Sequence, residues 1–523
     1  MRPIATTLLL TAALAAPALA QGRRAPAGPT AAAVQRAVRT ITEADYRARI
    51  GALADDSMRG RLTPSPELDK AAAYVASEFR RFGLRPGGDS GTFFQRYPIR
   101  TMQLDTAVSA VAFAGAAAAQ LRFGRDVTMA RGAMTDAPVG GPVVLVWGEP
   151  ADTAHPLGDV PVQGAVVIQV SSSQSTFAGA TRRLVQAGSA GGARAWIVVP
   201  AMGPTAFDGL ARFATQPRLE MGAAGAGGMP LLVARDSALA GVVAVSGLGL
   251  AELRAAGASG IRALSGVSAT LTTRRTVVRE ESAPNVIGVL EGSDPVLRDE
   301  YVFFTGHLDH IGTAGRPGAQ CTAQGADSIC NGADDDASGS TGVIELAQAF
   351  AALSPRPRRS LVFMTVSGEE RGLWGSTWYV EHPEFPLANT VADLNMDMIG
   401  RNWRDTISVI GKEHSSLGEL ANRVTREHPD LDMQLVDDLW PGQNFYQRSD
   451  HFNFARKGVP ILFFFNGTHP QYHRAGDEPA LIDAEKAARI VRMVFYIGLD
   501  VANATERPQW NAESRRHIVE AGQ

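Results

Sequence analysis

The chain has 523 residues, more than a single hydrophobic core usually serves, so two or three domains are expected. Its residues are 45% hydrophobic and 20% charged, with a formal net charge of -3 and no long run of one sign. That balance fits a soluble globular protein and argues against nucleic acid or an anionic membrane as the main partner.

The first residues, MRPIATTLLLTAALAAPALA, carry one early arginine, an apolar stretch and an A-x-A ending at Ala18-Leu19-Ala20. They read as a secretory signal peptide (1–20) cleaved after Ala20. The apolar part is short, and no later run reaches about 18 apolar residues, so no membrane span is expected in the mature chain. Export to the periplasm or the cell exterior follows. Residues 21–37 are rich in Ala, Pro and Gly and are expected to be disordered. The segment ELDKAAAYVASEFRRFG reads as an amphipathic helix, with Leu68, Ala71, Val75, Phe79 and Phe82 on one face and Gly83 ending it.

Between residues 105 and 275 the composition turns to Gly, Ala and Val. Short apolar runs (PVVLVW, GAVVIQV, RAWIVVP, MPLLVA) alternate with the glycine clusters AGSAGGA and MGAAGAGG. Strands joined by turns, with few helices, are expected, forming an inserted β-rich domain. AGSAG around Ser189 lacks the first glycine of a nucleophile elbow and reads as a turn.

From Ala283 onward, strand and helix patterns alternate. NVIGVL, EYVFFTGH, SLVFMTVSG, VADLNMD and PILFFFNG read as strands; GVIELAQAFAAL, GLWGSTWYVEH, SLGELANRVTREH and AEKAARIVRMVFYIGLDVA read as helices. The prediction is a three-layer α/β/α domain with a mostly parallel central sheet, assembled from 38–104 and 276–505 around the insertion, with 506–523 as a tail. The two cysteines, Cys321 and Cys330, close a short polar loop and are expected to form a disulfide, which export permits.

In such sheets the site gathers beyond the carboxyl ends of the strands. His307 and Asp309 follow one apolar strand, Glu369 and Glu370 follow another, Asp397 ends a third, and His473 lies in the loop after PILFFFNG. The triplet Asp334, Asp335 and Asp336 immediately precedes a helix, so every cluster falls on one rim. Imidazole with carboxylate suits zinc. The donors are too many for one tetrahedral ion but fit two ions about 3.5–4 Å apart sharing a carboxylate. One aspartate of the triplet would face both ions and the others would cap the following helix. Asp309, two residues from His307 on an extended chain, is placed to hold its far ring nitrogen. Glu369 and Glu370 diverge as neighbours, so one can bind metal while the other moves a proton. His310, His382, His414, His451 and His469 read as ordinary loop or surface histidines, His451 and His469 being candidates to line the pocket. No H-E-x-x-H occurs, and the triplet lacks EF-hand spacing.

In that order, GHLDH, NGADDDASG, SGEERGLWGS, LNMDMIG and YHRAGD resemble the di-zinc aminopeptidases of metallopeptidase family M28. The resemblance covers about residues 38–104 and 280–503. It implies two zinc ions held by His307, Asp335, Glu370, Asp397 and His473, with Asp335 bridging. Glu369 would be the general base, Asp309 the orienting acid, Tyr472 the partner of the oxyanion, and Arg448, in QRSDH, a substrate contact. The insertion would be a protease-associated domain, and the substrates peptides shortened from the N-terminus. A glutamate-releasing carboxypeptidase, a one-zinc glutaminyl cyclase and a non-catalytic receptor-like relative are the alternatives on the same scaffold.

Overall fold

Long apolar runs without alternation suit strands covered on both faces, and the computed structural model places them so. It describes residues 28–520 apart from 133, 136, 151, 153, 159, 175–178, 223–227 and 257. The expected leader lies outside the described residues. Two units are present: the first comprises the described residues up to Gln95 and from Asn285 onward, the second Arg96–Pro284.

The first unit opens with helices α1 (Ala31–Val38), α2 (Glu43–Leu53) and α3 (Pro66–Arg81). The α1 helix corrects the expectation of disorder through residue 37. Thr30 caps it by accepting from the Ala33 amide, Ala33, Ala37 and Val38 are buried, and Gln35 donates to the Tyr496 hydroxyl at 3.1 Å. Alanine is the strongest helix former, so an alanine-rich stretch orders once its small face finds a surface. In α3, Ser65 caps the start, Pro66 occupies the first turn, and Leu68, Ala71, Val75 and Phe79 are buried.

The sheet of this unit contains β1 (Arg275–Leu290, whose end from Asn285 belongs here), β2 (Tyr301–His307), β3 (Ser360–Val366), β4 (Thr390–Met396), β5 (Thr406–Ile410), β6 (Gln434–Val436) and β7 (Ile461–Phe465). Their order is β6-β5-β7-β4-β2-β3-β1. The centre, β3-β2-β4-β7, is parallel; β5 joins β7, and β1 joins β3, antiparallel. Helices α4 (Ala337–Ala351), α5 (Trp374–Glu381), α6 (Leu417–Glu427) and α7 (Ala484–Asn503) alternate with these strands. Successive side chains of β2 show the layering. Phe304 packs on Phe350 of α4, which meets Phe495 of α7 at 4.3 Å, while Phe303 packs on Tyr379 of α5 and on Phe454. Beyond α7 the expected tail is folded: Trp510 donates to the Gly458 carbonyl at 2.8 Å and Val519 is buried. Cys321 and Cys330 are disulfide-bonded.

The second unit holds an eight-stranded sheet in which Val139–Trp147, Val166–Val170, Ala195–Val199 and Leu231–Ala234 run parallel. It is not nearly free of helix. Gly179–Ala190, Pro204–Thr215, Asp236–Ala244 and Leu250–Ala255 are helical, and Ser189 sits inside the first of them rather than in a turn. Glycine was the misleading signal: Gly188 lets that helix lie on the Trp196 indole, where a Cβ would stand 2.2 Å from the ring. Among the described residues, no helix is long and apolar enough to cross a membrane.

Candidate metal centre

The carboxyl ends of β2, β3 and β4 and the start of α4 meet at one rim. His307 closes β2 and is buried, its Nε2 3.1 Å from Asp335 Oδ1 and 3.6 Å from Asp397 Oδ1. The other oxygen of Asp335 lies 3.2 Å from His473 Nε2, which is itself 3.1 Å from Glu370 Oε2. Asp335 therefore presents one oxygen to each of two donor groups, the disposition a bridging ligand needs. After β3, Gly368 turns the chain in a left-handed conformation (φ +72°) and delivers Glu369 and Glu370 into a short 3-10 turn. Asp397 follows β4; its Oδ2 accepts from the Ser449 hydroxyl at 2.9 Å.

The cluster fits a cation. Asp335 Oδ2 and Asp397 Oδ1 are buried without a hydrogen-bond donor, an arrangement costly unless positive charge lies opposite. Burial pushes the Asp397 and Glu369 carboxyls up, as charge removed from water does unless a counter-charge is supplied. His307, Asp335 and Asp397 form one group with ligand atoms close enough to share an ion, and His310, Asp335 and Glu370 form another.

Several roles differ from those expected. Asp309 does not hold the His307 ring through its carboxylate, which stands 3.8 Å from Nδ1; the Asp309 carbonyl does so at 3.1 Å. Its carboxylate instead accepts from the Thr63 hydroxyl (2.9 Å) and from the Glu369 amide (3.1 Å), so it positions the expected base. Of the aspartate triplet only Asp336 caps α4, accepting from Gly339 at 2.7 Å; Asp334 accepts from the Gly400 amide at 2.6 Å. His310, His451 and His469 are buried rather than superficial. His310 Nδ1 lies 2.9 Å from Glu370 Oε1. His451 Nε2 donates to the Tyr446 carbonyl at 2.9 Å, and burial pushes the ring's pKa down to about 3, leaving it neutral.

Sequence reasoning missed Thr63, Ser449 and Asp477. Asp477 accepts from the amides of Asp334 and Asp335 at 3.0 and 3.1 Å and so fixes the backbone of the central aspartate. Ser449 adjoins Arg448 and His310 lies within GHLDH, so both were in view; Thr63 carried no signal. A pocket opens on the centre, lined by His307, Asp335, Glu369, Asp397, Arg448, Tyr472 and, on its apolar side, Met398, Phe445, Phe463 and Phe465. Tyr472 stacks on His473 at 3.9 Å, and the Arg448 guanidinium lies 4.6 Å above Phe445.

Residues 285–498 match the model of Peptidase family M28. This stretch belongs to that family. The M28 domain thus covers the rim just described, and the family together with the imidazole and carboxylate donors implies zinc. A "Probable zinc metalloprotease" of Pyricularia oryzae is 33% identical over 266 residues, 42% of this chain and 50% of that protein. A "Probable glutamate carboxypeptidase" of Arthroderma benhamiae is 28% identical over 213 residues, 38% of this chain and 26% of that protein. "Aminopeptidase YwaD" of Bacillus subtilis is 21% identical over 249 residues, 46% of this chain and 49% of that protein. The chain spans half or less of the length of these curated relatives.

Proposed function

We propose that the chain is an exported aminopeptidase that removes N-terminal residues from peptides, using two zinc ions. His307, Asp335 and Asp397 would hold one ion, and Asp335, Glu370 and His473 the other. The observation that carries this reading is the split of Asp335, one oxygen toward His307 and the other toward His473. Bound zinc supplies Lewis-acid activation of water and of the scissile carbonyl. Glu369, on the pocket wall and held at its amide by Asp309, takes the proton of the attacking water and returns it to the leaving amine. Tyr472 donates toward the developing oxyanion, and Arg448 contacts the substrate backbone. Met398, Phe445, Phe463 and Phe465 form an apolar wall for the side chain. The second unit is read as a protease-associated-like insertion.

The likeness to a protein named as a glutamate carboxypeptidase favours the main alternative. Release of glutamate calls for cations to receive two carboxylates, whereas among the described residues lining the pocket Arg448 is the one arginine or lysine. Peptides with a free N-terminus should be cleaved, and N-blocked peptides ending in glutamate should not; the reverse pattern would reject the aminopeptidase reading. A metal count near two per chain separates a peptidase from a one-zinc cyclase. Export is checked by sequencing the mature N-terminus, expected at Gln21.

A further inference from the structure

His310 is assigned no part by the two-ion ligand set, yet it is fully buried against it. Its Nδ1 stands 2.9 Å from Glu370 Oε1 and 3.7 Å from Asp335 Oδ2. Neither His310 Nδ1 nor Glu370 Oε1 has a hydrogen-bond partner of good geometry, and both are sealed from solvent, so the 2.9 Å ion-pair approach is the contact that joins them. The opposite oxygen, Glu370 Oε2, is the one that faces His473. The carboxylate of Glu370 is thus spanned by two imidazoles, one on each oxygen.

The ring is clamped by backbone. Gly332, in the loop that carries the aspartate triplet, has φ +58°, and a Cβ there would lie 2.5 Å from His310 Cγ. The His310 amide donates to the Arg61 carbonyl at 3.3 Å. A glycine that admits an imidazole at this distance is a device for holding the ring. Filling of space alone would not direct a ring nitrogen at a carboxylate oxygen.

We propose that His310 is a positioning residue for the second metal ion. It holds Glu370 Oε1 with its Nδ1–H, so that Oε2 is left to the ion beside Asp335 and His473. Partners of this kind, which orient a ligand without touching the metal, typically contribute 10–100-fold in metal affinity. The inference rests on the two-zinc reading.

The test is a competitive zinc titration of the full chain against a chromophoric chelator, comparing wild type, His310→Ala and His310→Asn. Asn places an N–H donor close to the position of Nδ1. Wild type should bind two equivalents. His310→Ala should keep the first affinity and weaken the second by about 10–100-fold, and His310→Asn should recover most of that loss. With cobalt in place of zinc, the visible bands of His310→Asn should match wild type, because the ligands themselves are unchanged. Equal second-ion affinity in wild type and His310→Ala would overturn the proposal. So would an equal loss at both ions in both variants, which would mark a structural role, or altered cobalt bands in His310→Asn, which would mark a direct ligand. If wild type itself takes up only one ion, the two-zinc reading fails and this proposal with it; an unaffected His310→Ala with two ions in wild type overturns this proposal alone.

Discussion

The two units use the same strand physics for different ends. Both have parallel strands with every residue buried, such as Ser360–Val366 in the first and Ala195–Val199 in the second. Yet among the described residues the second unit buries no Asp, Glu, His, Lys or Arg, whereas the first buries His307, Asp309, Asp335, Asp336, Asp393, Asp397 and Asp450, among others. Buried ionisable groups are costly unless each is answered by a partner or a cation. A unit that keeps so many on one rim is organised around chemistry. A unit that keeps none is organised around packing. The comparison can be broken or sharpened by experiment.

Removing metal should have the largest effect. Chelation should abolish peptide hydrolysis and lower the melting temperature of the first unit alone, because Asp335, Asp397 and Glu370 are left facing one another. Calorimetry that resolves two transitions would show it; equal shifts of both would erase the contrast between the units. Next comes Glu369→Ala. Zinc content should hold while kcat falls by about 10²–10⁴, with KM changed far less. Retention of more than about a tenth of wild-type kcat, or loss of metal, would mean that the adjacent glutamates have exchanged roles.

Trp196→Ala probes the packing unit. The indole is fully buried, donates to Gln169 Oε1 at 2.9 Å and supports the helix Gly179–Ala190. Its loss should destabilise the second unit by about 3–5 kcal/mol, read as a denaturant midpoint. Zinc content and turnover of a small chromogenic substrate should not change; a fall in zinc content would tie the two units together. The smallest effect, taken per pH unit, is a slope. Burial, with the nearby Asp450 charge adding to it, lifts the Asp393 carboxyl from 3.8 to about 8 against the Thr305 hydroxyl that donates to it. The folded state therefore holds this proton longer than the unfolded state. Stability should fall as pH climbs from about 4 to about 8, by at most about 1.4 kcal/mol per pH unit, and level off above. Asp393→Asn should flatten that slope in urea titrations; an identical slope would show that this carboxyl is ionised in the fold.

Much of the first unit was legible because its signals are local. Mostly apolar runs marked β2, β3, β4 and β7, and the acids and histidines outside the aspartate triplet lay at or just after their ends, which put His307, Glu370 and Asp397 on one rim. The strand β5, TISVI, has Thr406 and Ser408 among its apolar residues, and β6 has only three residues, so neither was read. In the second unit, Gly and Ala serve turns and closely packed helices alike, so composition at Ser189 pointed to a turn where Trp196 demands a helix. Thr63 supports the centre from a distant part of the chain and nothing local marks it, whereas Asp477 closes the YHRAGD motif, where its backbone role at the aspartate triplet has no local signature. His310 was visible in GHLDH but was dismissed, because a histidine three residues beyond a strand has no period to say that it turns inward.

Asp336 has a consequence for the order of folding. One oxygen accepts from the Gly339 and Met398 amides and the other from the His307 amide, contacts separated by up to 62 residues in sequence. The Gly339 bond is a local cap, but the entropy of closing the two longer loops must be met before the His307 and Met398 bonds contribute. This single carboxylate thus acts as a latch that shuts late, when α4, β2 and β4 are already in register. A nascent or partly folded chain owns the donors but not their arrangement, so zinc capture is a reporter of completed folding, and a slowed Asp336→Asn variant should acquire metal at the rate at which it folds.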